Sequence, residues 1–171
     1  MKDFLKYINA QDARQLKQEL TELYTSFELV RNYYQIKLKQ SVLDENLLSK
    51  YKAQITKAIY PNKYMEGGLD VGKVDSIVKQ LNSDSTLKYY IEVGLHAIEE
   101  CTSIANEYGG DFGDDFYIYF EELYDKVLDQ IVKKNLVDAY KDRLKEIADV
   151  AFEGYGHYDQ LQDTYDEYLK D

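Results

Sequence analysis

Tryptophan is absent from this chain, proline and cysteine occur once each, and glycine occurs only nine times in 171 residues. So few chain breakers exclude a loop-rich fold and suit long regular elements. The lone Cys101 excludes an intrachain disulfide framework. No stretch approaches the ~20 apolar residues that a membrane-spanning helix requires. The opening Met1-Lys2-Asp3-Phe4-Leu5-Lys6 has no apolar run long enough for a secretory signal. These absences point to a cytoplasmic protein with no membrane partner.

What is present is apolar and acidic. Hydrophobic residues make up 44% of the chain and charged residues 31%, enough apolar surface to offset the entropy of ordering a globular domain. The length suits one domain, residues 1–171, with a sizeable core. Net charge is −11 and unevenly spread: residues 1–60 hold ten Lys/Arg against seven Asp/Glu, and the remainder holds eleven against twenty-five. A non-specific nucleic-acid binder needs a dominant basic face, so nucleic acid is not an expected partner. An acidic C-terminal half suits a protein with a basic segment. Tyrosine is abundant, at 18 residues. Many of these tyrosines fall on the apolar stripes described next, where a ring packs and its hydroxyl reaches the rim.

The apolar spacing is helical throughout. Leu16, Leu20, Leu23, Phe27, Val30 and Tyr34 recur at alternating steps of four and three and predict one long helix over roughly residues 12–38. Asp44 caps the next, which carries Leu47, Leu48, Tyr51, Ile55 and Ile59 and ends before Pro61. Residues 60–69 read as the longest loop. Asp70 opens a short helix with Val71, Val74, Val78 and Leu81, and Ser83 or Asp84 caps a longer one bearing Leu87, Ile91, Leu95, Ile98, Ala105 and Tyr108. Gly94 inside that helix costs ~1 kcal/mol relative to alanine, which implies close approach by a neighbour. Beyond Gly109, Gly110 and Gly113, Phe116, Phe120, Leu123, Val127 and Ile131 mark a further helix. Val137, Tyr140, Leu144, Ile147 and Ala151 mark another, ended by Gly154 and Gly156. Tyr158, Leu161, Tyr165 and Tyr168 mark the last. No segment of useful length alternates with period two. The expected fold is all-α: seven to eight antiparallel helices, as a bundle or as a short, solenoid-like stack of helix hairpins.

Four clusters invite chemistry. Gly67-Gly68-Leu69-Asp70-Val71-Gly72-Lys73 fits the first seven positions of a phosphate-binding loop, but Val74 replaces the hydroxyl residue that would hold magnesium and Asp70 would repel phosphate. A loop entering a helix explains it better. Asp111, Asp115 and Glu122 have the spacing of a calcium loop, yet Phe116 stands where the sharp turn needs glycine. Acids at a helix start account for them more simply. His96 and Cys101 lie about 140° apart around a helix axis, so His96, beside Glu92, Glu99 and Glu100, is expected in solvent and Cys101 in the core. The run Gly154-Tyr155-Gly156-His157-Tyr158-Asp159 is the most suggestive. Its two glycines allow a sharp turn, and His157 with Asp159 or Asp163 has the makings of a proton carrier beside free helix amides. The candidates for binding are therefore Tyr155, His157, Asp159, Asp163, Asp111 and Asp115. No catalytic residue, metal ligand set or cofactor is assigned.

In order along the chain stand Glu22-Leu23-Tyr24, Tyr33-Tyr34, Lys50-Tyr51-Lys52 running to Pro61, Tyr89-Tyr90-Ile91-Glu92, Asp115-Phe116-Tyr117 and the Gly-Tyr-Gly-His of 154–157 with Asp159. This series resembles a family of uncharacterised bacterial all-helical proteins, a domain of unknown function of similar length, over nearly the whole chain. The resemblance implies a bacterial cytoplasmic protein and a helical fold. It brings no activity or catalytic residue and makes the turn at 155–159 the first place to look. The expected function is a non-enzymatic protein-interaction module with a Tyr-rich acidic surface. The alternative is a small-ligand binder or enzyme using that turn. The oligomeric state is left open.

Overall fold

The computed structural model of the chain describes residues 1–38, 43–60 and 69–170. The described residues form nine α-helices and no strand, so the fold is all-α. No described helix is long and apolar enough to cross a membrane. The chain divides into two compact units, Met1–Val42 and Leu43–Asp171.

The first unit holds α1 (Lys2–Ala10), α2 (Ala13–Ser26) and α3 (Glu28–Leu38). The single helix expected over 12–38 is therefore two, and α1 adds one that the spacing did not announce. The break falls at Phe27, whose backbone is extended at φ −117°, ψ 119°. Arg31 holds it: the guanidinium donates to the carbonyls of Tyr24 (3.4 Å) and Thr25 (2.7 Å), groups that the end of α2 leaves without helical partners. The four–three spacing survives the break because both helices turn their apolar residues to a common groove. That groove is lined by Leu20, Tyr24, Tyr34 and Leu38, with Tyr24 and Tyr34 meeting edge-on at 6.3 Å. Leu20, Leu23 and Phe27 nonetheless stay exposed, since so short a unit encloses little core of its own. Asp12 opens α2 with a full capping box to Gln15.

The second unit holds α4 (Glu45–Ile59), α5 (Val71–Gln80), α6 (Leu87–Tyr108), α7 (Asp114–Lys133), α8 (Val137–Asp149) and α9 (His157–Leu169). Asp44 caps α4 as expected, accepting from Asn46 and Leu47 amides. A 3-10 turn, Asp84–Thr86, intervenes before α6, so that helix opens at Leu87 rather than at Ser83 or Asp84. Residues 61–68, with Pro61 and the Gly67-Gly68 start of the phosphate-loop-like run, lie outside the described residues. The rest of that run is the first turn of α5, where the Asp70 carboxylate already takes the Lys73 amide at 2.8 Å. An acid occupies the position a phosphate would need.

Cross-helix pairs define the arrangement. Lys52 meets Glu92, and Thr56 meets His96 and Glu100, so α4 and α6 run parallel. Tyr140 meets Glu92, Arg143 meets Glu99, and Asn106 meets Val150, so α8 continues the same layer in the same direction. Gly94 faces Val127, whereas Gly110 faces Tyr117, so α7 runs against α6. His157 meets Glu121 and Tyr168 meets Asp125, so α9 runs with α7. In this unit α4, α6 and α8 form one layer, α7 and α9 the other, and α5 packs on α4 and α6.

The close approach that Gly94 implies is present. A Cβ there would stand 2.7 Å from Cγ2 of Val127, a short branched side chain with nowhere to retreat. Six tyrosines of this unit, Tyr51, Tyr89, Tyr90, Tyr117, Tyr124 and Tyr165, are buried as core residues. Tyr117 and Tyr124 are enclosed, and each spends its hydroxyl on a backbone carbonyl, Gly110 at 2.6 Å and Leu144 at 2.9 Å.

Candidate functional site

The glycines of the 154–156 turn create a single 3-10 turn at the mouth of α9. Tyr155 sits in it with a left-handed backbone (φ 58°), a conformation that costs a non-glycine residue of order 1 kcal/mol or more. Two contacts hold it: its hydroxyl donates to Asp111 Oδ1 at 2.8 Å, and its ring stacks on Tyr117 at 5.0 Å. Phe152 stacks on Tyr117 as well, at 6.1 Å. Gly110 and Gly154 both press on the Phe152 ring. The turn is thus an aromatic clasp joining the start of α9 to the loop before α7.

The six candidates separate. Tyr155 and Asp111 are brought together. His157 leaves them and turns inward: it is fully buried, its ring lies 5.0 Å from Tyr117, and its Nδ1 pairs with Glu121 Oε1 at 2.9 Å. Asp159 and Asp163 lie exposed along α9, and no hydrogen bond or ion pair joins either to His157. Asp115 is exposed in the first turn of α7. Because α7 is already helical from Asp114, the twelve-residue loop a calcium site needs has no room to form. Among the described residues no three His, Cys, Asp or Glu side chains converge as metal ligands.

Glu121 is the residue the sequence reading missed. It lies four positions beyond Tyr117 and three before Tyr124, on a buried stripe of α7. A carboxylate at such a position was the available signal. Its partner is the neutral imidazole. With Nδ1–H donating to Glu121, Nε2 is buried without a partner. Protonation would add a second N–H with nothing to accept it. Burial therefore pushes the His157 pKa below its usual value, and the Glu121 carboxylate offsets only part of this.

His96 is a correction. Expected in solvent, it is half-buried, because α4 covers the face it shares with the glutamates. Its Nε2 lies 3.0 Å from Thr56 Oγ1 and 3.3 Å from Glu100 Oε1. Burial lowers its pKa also, against the pull of Glu100. Beside it, Arg143 of α8 clamps Glu99 with two bonds, at 2.6 and 2.9 Å, and reaches Glu92 at 2.9 Å. Glu92 further accepts from Tyr140 at 3.0 Å and from Lys52 at 3.4 Å. Burial alone would raise the Glu92 pKa, but the Arg143 guanidinium and these donors hold it below the usual carboxylate value. The network braces the α4–α6–α8 layer.

One pH dependence follows. The chain has two histidines, and both are held neutral in the fold, with pKa values below the unfolded value of about 6.5. Between those folded values and 6.5 the unfolded chain binds more protons. The stability that neutral histidine contributes is then whole above about pH 6.5 and is lost as pH falls from there towards the folded pKa values. Urea midpoints are expected to drop between about pH 7.5 and 5.5. A His96→Asn variant should lose part of that drop and the His96→Asn/His157→Asn pair the rest. A drop of unchanged size in the pair would assign it to other groups.

Comparison with curated proteins and with solved structures returns no match. Comparison with protein families matches residues 1–168, nearly the whole chain, as its motif order suggested. By that match the chain belongs to DUF6155, a family of unknown function.

Proposed function

We propose that this protein is a non-enzymatic interaction module that receives a basic segment of a partner protein on the α7–α9 layer. One observation carries this. Asp115, Asp159, Asp163 and Glu167 are exposed on these two helices, and none has a basic partner among the described residues. The cations nearby are already engaged: Lys126 with Glu122 at 2.7 Å, Lys133 with Asp129 at 2.8 Å and Lys170 with Asp166 at 2.5 Å. Helix α9 itself contains no Lys or Arg.

Tyrosine rings stand among these carboxylates. Tyr155 is about half exposed, and Tyr158 and Tyr168 are partly so. The Tyr168 hydroxyl donates to Asp125 at 3.0 Å, and burial together with that carboxylate pushes its pKa up to about 12, so it stays a donor. Lysine and arginine side chains gain from such a surface twice, from the carboxylates and from the ring faces. The alternative, chemistry at the 155–159 turn, needs an imidazole that a substrate can reach, and His157 is enclosed by Tyr117 and Glu121.

Fluorescence anisotropy of a short Arg/Lys-rich peptide tests the reading. Binding is expected to weaken steadily from about 0.05 to about 0.5 M salt, and to weaken several-fold more in the Asp159→Lys/Asp163→Lys variant. Binding that ignores both salt and charge reversal would refute it.

A further inference from the structure

A second concavity lies on the opposite layer, between α6 and α8. It encloses about 280 Å³ and is lined by Glu99, Thr102, Ser103 and Asn106 along one stripe of α6, by Glu146 and Ile147 on α8 and by Val150 just beyond its end. That volume lies just under the range of drug-sized sites and suits one slim side chain or small molecule. One end is closed by the Arg143–Glu99 clamp, and the other by Asn106, whose Nδ2 donates to the Val150 carbonyl at 2.9 Å.

The lining decides the sign of the occupant. It contains no basic residue, and the adjacent Arg143 is spent on Glu99 and Glu92. Glu146 is exposed at the rim with no basic partner among the described residues. The pocket also lies in the last two turns of α6 and the last turn of α8. These helices run parallel, so both carbonyl-rich, negative ends fall on the same side. Ile147 and Val150 supply an apolar wall. On the floor, Thr102 is almost fully buried, yet its Oγ1 has no partner within the protein. The pocket thus combines a negative rim, a hydrocarbon wall and an unmet polar atom.

We infer that the α6–α8 pocket binds an alkyl cation, a guanidinium or ammonium group on a short hydrocarbon stem. The stem lies along Ile147 and Val150. The charged nitrogen donates to the Glu146 carboxylate and to Asn106 Oδ1, which the bond of Asn106 Nδ2 to Val150 leaves free. The site is independent of the α7–α9 surface, so the two readings stand or fall separately.

The probe is n-butylguanidinium, with n-butylurea as its neutral isostere, followed by amide shifts in NMR spectra of the full chain. Saturable shifts are expected at Thr102, Asn106, Ile147 and Val150 with butylguanidinium and not with butylurea. Glu146→Gln should weaken binding by about threefold, as for an exposed ion pair, and Ser103→Phe, which fills the pocket and keeps its charges, should abolish it. Competition by N-acetyl-arginine amide would identify the source as an arginine of a protein, and its exclusion would identify a free small cation. Absence of saturable shifts, equal shifts from butylurea, or undiminished binding in Ser103→Phe would overturn the inference.

Discussion

Replacing Gly110 by alanine is expected to lower stability by roughly 3 kcal/mol. Two penalties add there. Gly110 has φ +73°, a left-handed conformation that costs an L side chain about 1–2 kcal/mol. Its added Cβ would also run into the Phe152 ring, and overpacking of this kind costs about 1–3 kcal/mol. Two neighbouring glycines separate the terms. Gly109 has φ +80° but nothing within reach of a Cβ, so Gly109→Ala should show the backbone penalty alone. Gly154 has no left-handed backbone but meets the same ring, so Gly154→Ala should show the contact alone. For a chain of this length, 1 kcal/mol moves the midpoint by about 2–4 °C, so Gly110→Ala should melt roughly 10 °C early. A smaller ring-site residue, Phe152→Leu, should restore part of what Gly154→Ala loses and none of what Gly109→Ala loses. Equal losses at Gly109 and Gly110 would show that contact with the Phe152 ring adds nothing to the backbone penalty.

Removing the Arg143 guanidinium should cost about 2 kcal/mol at neutral pH. Breaking a buried pair costs about 3–5 kcal/mol because the remaining charge is stranded. Here the figure is reduced, since the Glu99 side chain is 37% exposed and only Glu92, at 18%, is well covered. Arg143→Met preserves the length of the stem, so the loss reports the charge and its bonds rather than the packing. Arg143→Lys should recover less than half, because a lysine cannot make the two-pronged bond to Glu99. Adding Glu92→Gln to Arg143→Met should restore part of the stability by removing the stranded carboxylate. The pH dependence has a definite sign. Glu92 titrates below its ordinary value of 4.5 in the fold, so its contribution is whole above pH 4.5 and fades as pH falls through the folded value. The gap between the parent and Arg143→Met in urea should narrow over that acid range. A gap independent of pH would assign the loss to packing of the arginine stem.

Much of the helical reading rested on local terms and carried over. The caps at Asp44 and Asp70, the buried faces of α4, α6 and α7, and the cost signalled by Gly94 were all legible, because capping and amphipathic spacing act within a few residues of each other. The break at Phe27 was not, because a four–three repeat describes two folded-back helices as well as one straight one. What decides between them is Arg31 reaching back over the end of α2.

The candidate turn shows the same division. The turn could be anticipated from its glycines, whereas the left-handed backbone of Tyr155 could not, since residue type disfavours it there. The direction of His157 could not, because a histidine at the first position of a helix may face solvent or core, and Glu121, thirty-six positions earlier, settles it. His96 went from expected solvent to a half-buried bridge for the same reason: the helix wheel places it among glutamates but cannot know that α4 lies across them.

The sequence by itself determined that the chain is helical, acidic towards its C-terminus and supplied with enough apolar and tyrosine surface to build a core, since these follow from composition and from contacts three or four residues apart. The tertiary structure decided which layer each helix joins, which carboxylates are left without a cation, and where α6 and α8 leave a gap. Those depend on pairs some forty residues apart, such as Glu99 with Arg143 and Asn106 with Val150. No local pattern encodes such pairs, because they form only when separate helices compete for the same neighbours.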